Sequence, residues 1–300
     1  MTTHIHTRKG FAGRVGALAV VVAGLVAGSV AAPAVAQDAE TLDYVALGDS
    51  YTSGIGAGPD FSISPLYFDP RNPNLPPCLQ SSPGYPDVLD ARHDVKLTVN
   101  AACAGWTATM VPLQVQMTSA AGLLNAETDL VTITAGGNDV GFLNVLQACL
   151  RQPLKDCKTA VKAAEAVAKN EVLPALTNAY AAIRAKAPNA KIVAVGYPHL
   201  FSPEFRGTTV IADKAAEEFN KGTDTLNKII EKAAKKSPGT VYVDVADEFD
   251  GHGVGSSDSW FVLNPLNPLD GVSFHPTATG YAKGYYPAVL REAKIPALRY

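Results

Sequence analysis

Five short stretches of the chain are almost continuously apolar and rich in β-branched residues. They are Leu42–Leu47 (LDYVAL), Lys96–Asn100 (KLTVN), Asp129–Thr134 (DLVTIT), Lys191–Gly196 (KIVAVG) and Thr240–Val245 (TVYVDV). A strand with one wet face alternates apolar and polar residues, whereas a strand covered on both faces reads as an unbroken run. The pattern therefore predicts buried parallel strands. Between several of them the period changes. Thr159–Ala187 and Asp213–Lys236 mix alanine, charged residues and spaced aliphatics as helices do, and Pro174 is expected to kink or break the first of them. Strands alternating with helices predict an α/β fold, a parallel sheet covered on both faces. No internal repeat or second domain is visible.

Two stretches break this rhythm. Gly54–Pro86 is rich in proline and serine and carries Phe61, Tyr67 and Phe68. Glu248–Phe274 is rich in glycine, asparagine and proline and carries Trp260-Phe261-Val262-Leu263. Loops this long in a compact domain are usually functional or disordered. Their aromatics suit either a substrate rim or a packed covering loop, and the sequence leaves both open.

The amino terminus has its own pattern. Arg8, Lys9 and Arg14 precede an apolar run from Ala17 to Val30, and Ala34-Val35-Ala36 supplies a small-x-small exit. That order predicts a signal peptide over residues 1–36 and a single domain over 37–300, secreted or associated with the cell envelope. With 47% hydrophobic and 18% charged residues, the chain has the material for a large core and is not a disordered tail. Cleavage removes three basic residues and no acidic ones, leaving 22 Lys and Arg against 28 Asp and Glu, a formal charge of −6. Lys232, Lys235 and Lys236 are the one local basic cluster, too little for polyanion binding, so nucleic acid is not an expected partner.

All four cysteines, Cys78, Cys103, Cys149 and Cys157, follow the leader. An even number in an exported protein points to disulfides, although four cysteines allow three connectivities. Cys149–Cys157 is the short-range choice and leaves Cys78–Cys103 to tie down the first long loop. No C-x-x-C pair suggests zinc.

The candidate chemistry sits at the strand ends. The first run closes in Gly48-Asp49-Ser50-Tyr51, which puts a serine at the carboxyl edge of the sheet, where open α/β folds bind ligands. Serine is a poor nucleophile without a base. Of the four histidines beyond the leader, His275 lies in Ser273-Phe274-His275-Pro276-Thr277, just before a terminal helical segment, and can reach back over the sheet edge. His93 and His252 have no partner at metal-ligand spacing, and His199 reads as a structural or solvent-facing residue. The second run leads into Asn100-Ala101-Ala102-Cys103-Ala104-Gly105-Trp106, and the third into Gly136-Gly137-Asn138-Asp139. Glycine exposes backbone N–H, and an asparagine amide is a neutral donor, as the oxyanion of acyl transfer requires. Asp49 and Asp139 read as braces of their turns.

These residues, in this order, resemble the SGNH or GDSL hydrolase superfamily over essentially the whole mature chain, and within it the secreted actinobacterial esterases and lipases. The stretch Ala187–Pro198 (APNAKIVAVGYP) carries the same resemblance. The resemblance implies a three-layer α/β/α sandwich with a five-stranded parallel sheet in the order 2-1-3-4-5. It implies Ser50 as nucleophile, His275 as base, and an oxyanion hole formed by the Ser50 and Gly105 N–H groups and the Asn138 amide. It also implies one cysteine pair joining the first two motifs and another just after the third. The expected protein is a monomeric esterase or lipase without metal or cofactor, acting on small-molecule or lipid esters, in transient contact with a lipid or cell-envelope surface. A deacylase or acyltransferase of envelope glycolipid or polysaccharide is the alternative, and a non-catalytic binding module the more distant one. One position departs from the family. Many members have an aspartate three residues before the histidine, where this chain has Val272. Asp270, or the backbone carbonyl of Val272 or Ser273, is left to orient the ring.

Overall fold

The computed structural model describes residues 41–67, 77–150, 153–202 and 211–294, all within one unit spanning Ala39–Tyr300. The expected leader and Phe68 lie outside the described residues. The five apolar runs form one parallel sheet: β1 (Leu42–Gly48), β2 (Val95–Asn100), β3 (Leu130–Thr134), β4 (Lys191–Val195) and β5 (Thr240–Val243). Their order across the sheet is β2-β1-β3-β4-β5. The central strands β1 and β3 are the most thoroughly buried, while the edge strands β2 and β5 keep half-exposed positions.

Helices cover the sheet. They are α1 (Tyr85–Asp90), α2 (Val111–Ala120), α3 (Phe142–Leu150), α4 (Leu154–Val167), α5 (Leu173–Lys186), α6 (Asp213–Lys235), α7 (Ala278–Gly280) and α8 (Tyr286–Glu292). One packed set contains α2, α5, α6, α4 and α3; α1 packs instead with the terminal segment that includes α8. Pro174 does not end its helix. A π turn over Ala168–Val172 widens the backbone just before it, and Pro174 falls in the first turn of α5, where no N–H is required.

Strand order places the site. The chain leaves β1 for β2 on one side and returns to β3 on the other, opening a crevice at the carboxyl end of β1. Gly48 makes the exit possible. It adopts φ +121, and a side chain there would strike the Thr134 carbonyl oxygen, so neighbouring strands can diverge only around glycine. Ser50 follows in the turn.

Both expected disulfides form, Cys78–Cys103 and Cys149–Cys157. The first holds the long 54–86 segment against the turn after β2. There, the Ala104 N–H also donates to the Leu79 carbonyl, and the Cys103 N–H to that of Gly48. Trp260 and Phe261 are buried against Phe249, so this part of the second irregular segment is a packed cover and not an aromatic rim. Tyr67 is likewise buried and packs its ring, tilted, against Trp106. Among the described aromatics of these segments, Phe61 alone is strongly exposed.

The two disulfides close loops of different length, separations of 25 and 8 residues. Chain entropy then makes Cys78–Cys103 worth about 3.5 kcal/mol and Cys149–Cys157 about 2.5 kcal/mol. Urea unfolding of the two Cys→Ser double variants is expected to show the larger loss for Cys78→Ser/Cys103→Ser; the reverse order would contradict this.

Candidate active site

Ser50 is almost fully buried at the foot of the crevice, and its Oγ lies 2.8 Å from His275 Nε2. The other ring nitrogen, Nδ1, is 3.1 Å from the Val272 carbonyl oxygen. A carbonyl can only accept, so Nδ1 must carry the proton and Nε2 faces Ser50 with its lone pair. The hydroxyl therefore donates to the imidazole. Burial lowers the His275 pKa to about 4, and the Val272 and Ser273 carbonyls and the Asp270 charge only partly oppose that shift. At neutral pH the ring is an uncharged base.

The question left by Val272 resolves in favour of its own carbonyl. Asp270 is not a hydrogen-bond partner of the histidine ring; its Oδ1 accepts the N–H groups of Val272 at 3.0 Å and Ser273 at 2.7 Å. Asn264 donates to its other oxygen. Burial alone would raise the Asp270 pKa, but these donors outweigh it and hold the carboxyl below its ordinary value. Asp270 thus shapes the loop that presents Val272. Further pins come from Val262, whose N–H donates to the His275 carbonyl and whose own carbonyl receives the Phe274 N–H.

The expected donors converge on the same cavity. Gly105 and Asn138 line it together with Ser50 and His275. Gly105 has φ +78, a conformation that favours glycine, although a side chain would meet nothing within 4 Å. Among the described residues, neither the Ser50 N–H nor the Gly105 N–H donates to any protein acceptor. Asn138 Nδ2 donates one hydrogen to the Trp106 carbonyl at 2.7 Å, which fixes the amide and leaves its second hydrogen. Backbone and side-chain donors without internal partners are what a developing oxyanion needs.

Asp49 and Asp139 act as braces. Asp139 accepts the Ala108 N–H and so joins the Asn138 turn to the segment after Gly105. Asp49 is deeply buried, and burial raises its pKa to about 6 against the opposing hydrogen bonds of Thr134, Tyr197 and Tyr51. Three donors meet it: the Tyr51 N–H and Thr134 hydroxyl at Oδ1, and the Tyr197 hydroxyl at Oδ2. Tyr197 also accepts the Gly137 N–H, so one phenol joins the Ser50 turn to the Asn138 turn. Sequence reasoning did not single out Tyr51 or Tyr197, although both adjoin motif residues. His199 instead pairs with Asp224, and His252 stacks on Trp260; neither lines the cavity.

The cavity holds about 340 Å³ and runs from Ser50 to the apolar faces of α3, α4 and α6. Phe142, Val145, Val161, Ala164, Phe219 and Leu226 form much of its wall. No periodicity argument could have joined three separate helices into one lining.

A serine bonded to a buried neutral imidazole, beside unpartnered N–H donors at a sheet switch point, is the arrangement of hydrolases that pass an acyl group through serine. Comparison with known proteins agrees. The profile of the GDSL-like lipase/acylhydrolase family matches residues 46–283. Lipase 1 of Streptomyces coelicolor is 34% identical over 273 residues, which cover 90% of this chain and 94% of that one. The crystal structure of an extracellular lipase from Streptomyces rimosus superposes with a TM-score of 0.67 at 32% identity, covering 84% of this chain and all of that one. That of phospholipase A1 from Streptomyces albidoflavus NA297 gives 0.67 at 34%, covering 83% of this chain and 98% of that one. The chain belongs to the GDSL-like lipase/acylhydrolase family and is a carboxylic ester hydrolase.

NMR titration of the His275 ring in the native protein is expected to give a pKa of about 4. A value at the ordinary 6.5 would contradict a buried ring facing Ser50. His275 is depressed, so it contributes stability above about pH 6.5 that is lost as pH falls towards 4. Asp49 is raised and has the opposite sign, its contribution being lost as pH rises through about 6.

Proposed function

We propose that the protein is an exported lipase or long-chain esterase that hydrolyses lipid esters through an acyl-Ser50 intermediate. The observation that carries this reading is the apolar cavity opening directly onto Ser50. A small acetyl group needs no such volume, whereas an acyl chain would bury its methylenes there at about 0.8 kcal/mol each. The relatives, a lipase and a phospholipase A1, support the same substrate class. So does the rim: Leu143 lines the cavity at 52% exposure, and Leu266 and Leu269, at 96% and 37%, flank the lining residue Pro268. Apolar side chains left in solvent around an apolar opening favour contact with a lipid surface. Two disulfides and the leader-like amino terminus support export. Among the described residues no helix is long and apolar enough to cross a membrane.

In the mechanism, His275 Nε2 takes the Ser50 hydroxyl proton as Oγ attacks the ester carbonyl. The oxyanion is held by the N–H groups of Ser50 and Gly105 and by the Asn138 amide. His275 then gives its proton to the departing alcohol, and water activated by the same ring releases the acid. The Val272 carbonyl keeps the reactive tautomer through both half-reactions, but supplies only a dipole where a carboxylate would supply a full charge. A base already neutral down to about pH 4 suits that arrangement.

The test is the turnover of p-nitrophenyl acetate, butyrate and palmitate beside Ser50→Ala. Serine-dependent kcat/KM that rises with chain length is expected. Preference for acetate over palmitate would contradict the lipid-ester reading and favour a deacetylase.

A further inference from the structure

Ser50 and His275 are 225 positions apart in sequence, and each is followed or preceded by a residue that the two loops share. Tyr51, the residue after Ser50, donates its hydroxyl to the carbonyl of Phe274, the residue before His275, at 2.8 Å. The phenol is buried, and its ring packs 5.2 Å from the imidazole, centroid to centroid. Phe274 has φ +67, one of two non-glycine residues in the left-handed region among those described. A bulky side chain in that region is strained and persists only where its surroundings hold it. The holding contacts are identifiable: the Phe274 N–H donates to Val262, its ring packs edge-on to Phe201, and its carbonyl receives Tyr51. Of these three, the Tyr51 bond alone comes from the turn that carries Ser50.

We propose that Tyr51 is a positioning residue for the reaction: its hydroxyl holds the strained Phe274 peptide so that the His275 ring stays buried against Ser50. The proposal rests on the Ser50–His275 reading above. The packing that accompanies it explains why the position takes an aromatic residue with a polar tip. The ring fills the space between His275, Tyr197 and Tyr285, and the hydroxyl reaches the one carbonyl that reports on the histidine loop. Without the hydroxyl, the Phe274 peptide is free to relax from its left-handed conformation, and the histidine that follows moves with it.

Asp270 acts on His275 from its own loop and Tyr51 packs on its ring, while Asp49 and Tyr197 line the same cavity. None of them is changed in charge by Tyr51→Phe at neutral pH, so a shift in the histidine's titration reports its exposure. Burial depresses this ring, and a ring released towards solvent returns towards about 6.5.

The experiment measures kcat, KM and the acid limb of kcat/KM on p-nitrophenyl butyrate for wild type, Tyr51→Phe, Tyr197→Phe and Ser50→Ala. Urea unfolding is used to verify that each variant is folded at the assay temperature. Tyr51→Phe is expected to lose roughly ten- to a hundredfold in kcat with little change in KM. Its acid limb is expected to move up from about 4 towards neutrality. Tyr197→Phe deletes an equally buried hydroxyl bonded to Asp49 and Gly137, on the oxyanion side, and is expected to leave the acid limb in place. p-Aminophenylalanine at position 51, which keeps a donor in nearly the same volume, is expected to restore the limb. Wild-type kcat and an unmoved limb in Tyr51→Phe would overturn the proposal, and so would equal limb shifts in both Tyr→Phe variants. Turnover persisting in Ser50→Ala would instead overturn the mechanism beneath it.

Discussion

The hydrogen bond between Ser50 and His275 is the contact on which the rest of this structure depends, because it exists only if several distant segments agree to within an ångström. Ser50 stands where β1 ends, and His275 stands on a loop that the chain reaches only after the whole sheet is built. The imidazole can accept from Ser50 only in one tautomer, and that tautomer is held by the Val272 carbonyl. Val272 in turn is held by Asp270. A short chain of local bonds therefore sets the protonation state of one ring, and burial keeps that ring uncharged well below neutral pH.

The buried polar residues around the pair serve the same end. Taking a carboxylate out of water is unfavourable unless donors replace the lost hydration, and Asp49 has three of them. The donors are drawn from the nucleophile turn, from β3 and from the turn after β4, so satisfying Asp49 requires these elements to be in register. Thr134 extends the network through Thr52 to Tyr85 and Thr132, beneath the switch point. Such a network is worth having only when complete, since an unpaired buried polar group costs more than the bond it lost. Beyond it the wall turns apolar, which separates a polar reaction centre from a greasy receptacle in adjoining halves of one cavity.

The sheet was legible in the sequence because buried parallel strands leave unbroken apolar runs, and all five runs became strands. The convergence of the serine, histidine, glycine and asparagine on one cavity was legible because they follow strand ends, and their order matched a known family. The features that were hard to read depend on contacts between distant segments. Trp260 and Phe261 could as well have faced substrate, and only their packing on Phe249 decided otherwise. Pro174 promised a kink or break, and the π turn before it takes up the geometric demand without ending the helix. Helices α2 and α3 were not anticipated, and with α3 went part of the cavity wall. Tyr51 and Tyr197 stood beside recognised motifs, yet their partners lie 223 and 148 positions away, beyond any local pattern.

The central claim is that Ser50 is the acylated residue. Its most direct test is intact-mass analysis of the protein after exposure to a fluorophosphonate, followed by peptide mapping. One adduct per chain, located on the peptide that contains Ser50 and absent from Ser50→Ala, is the result predicted. An adduct on another residue, or labelling that persists in Ser50→Ala, would contradict the account.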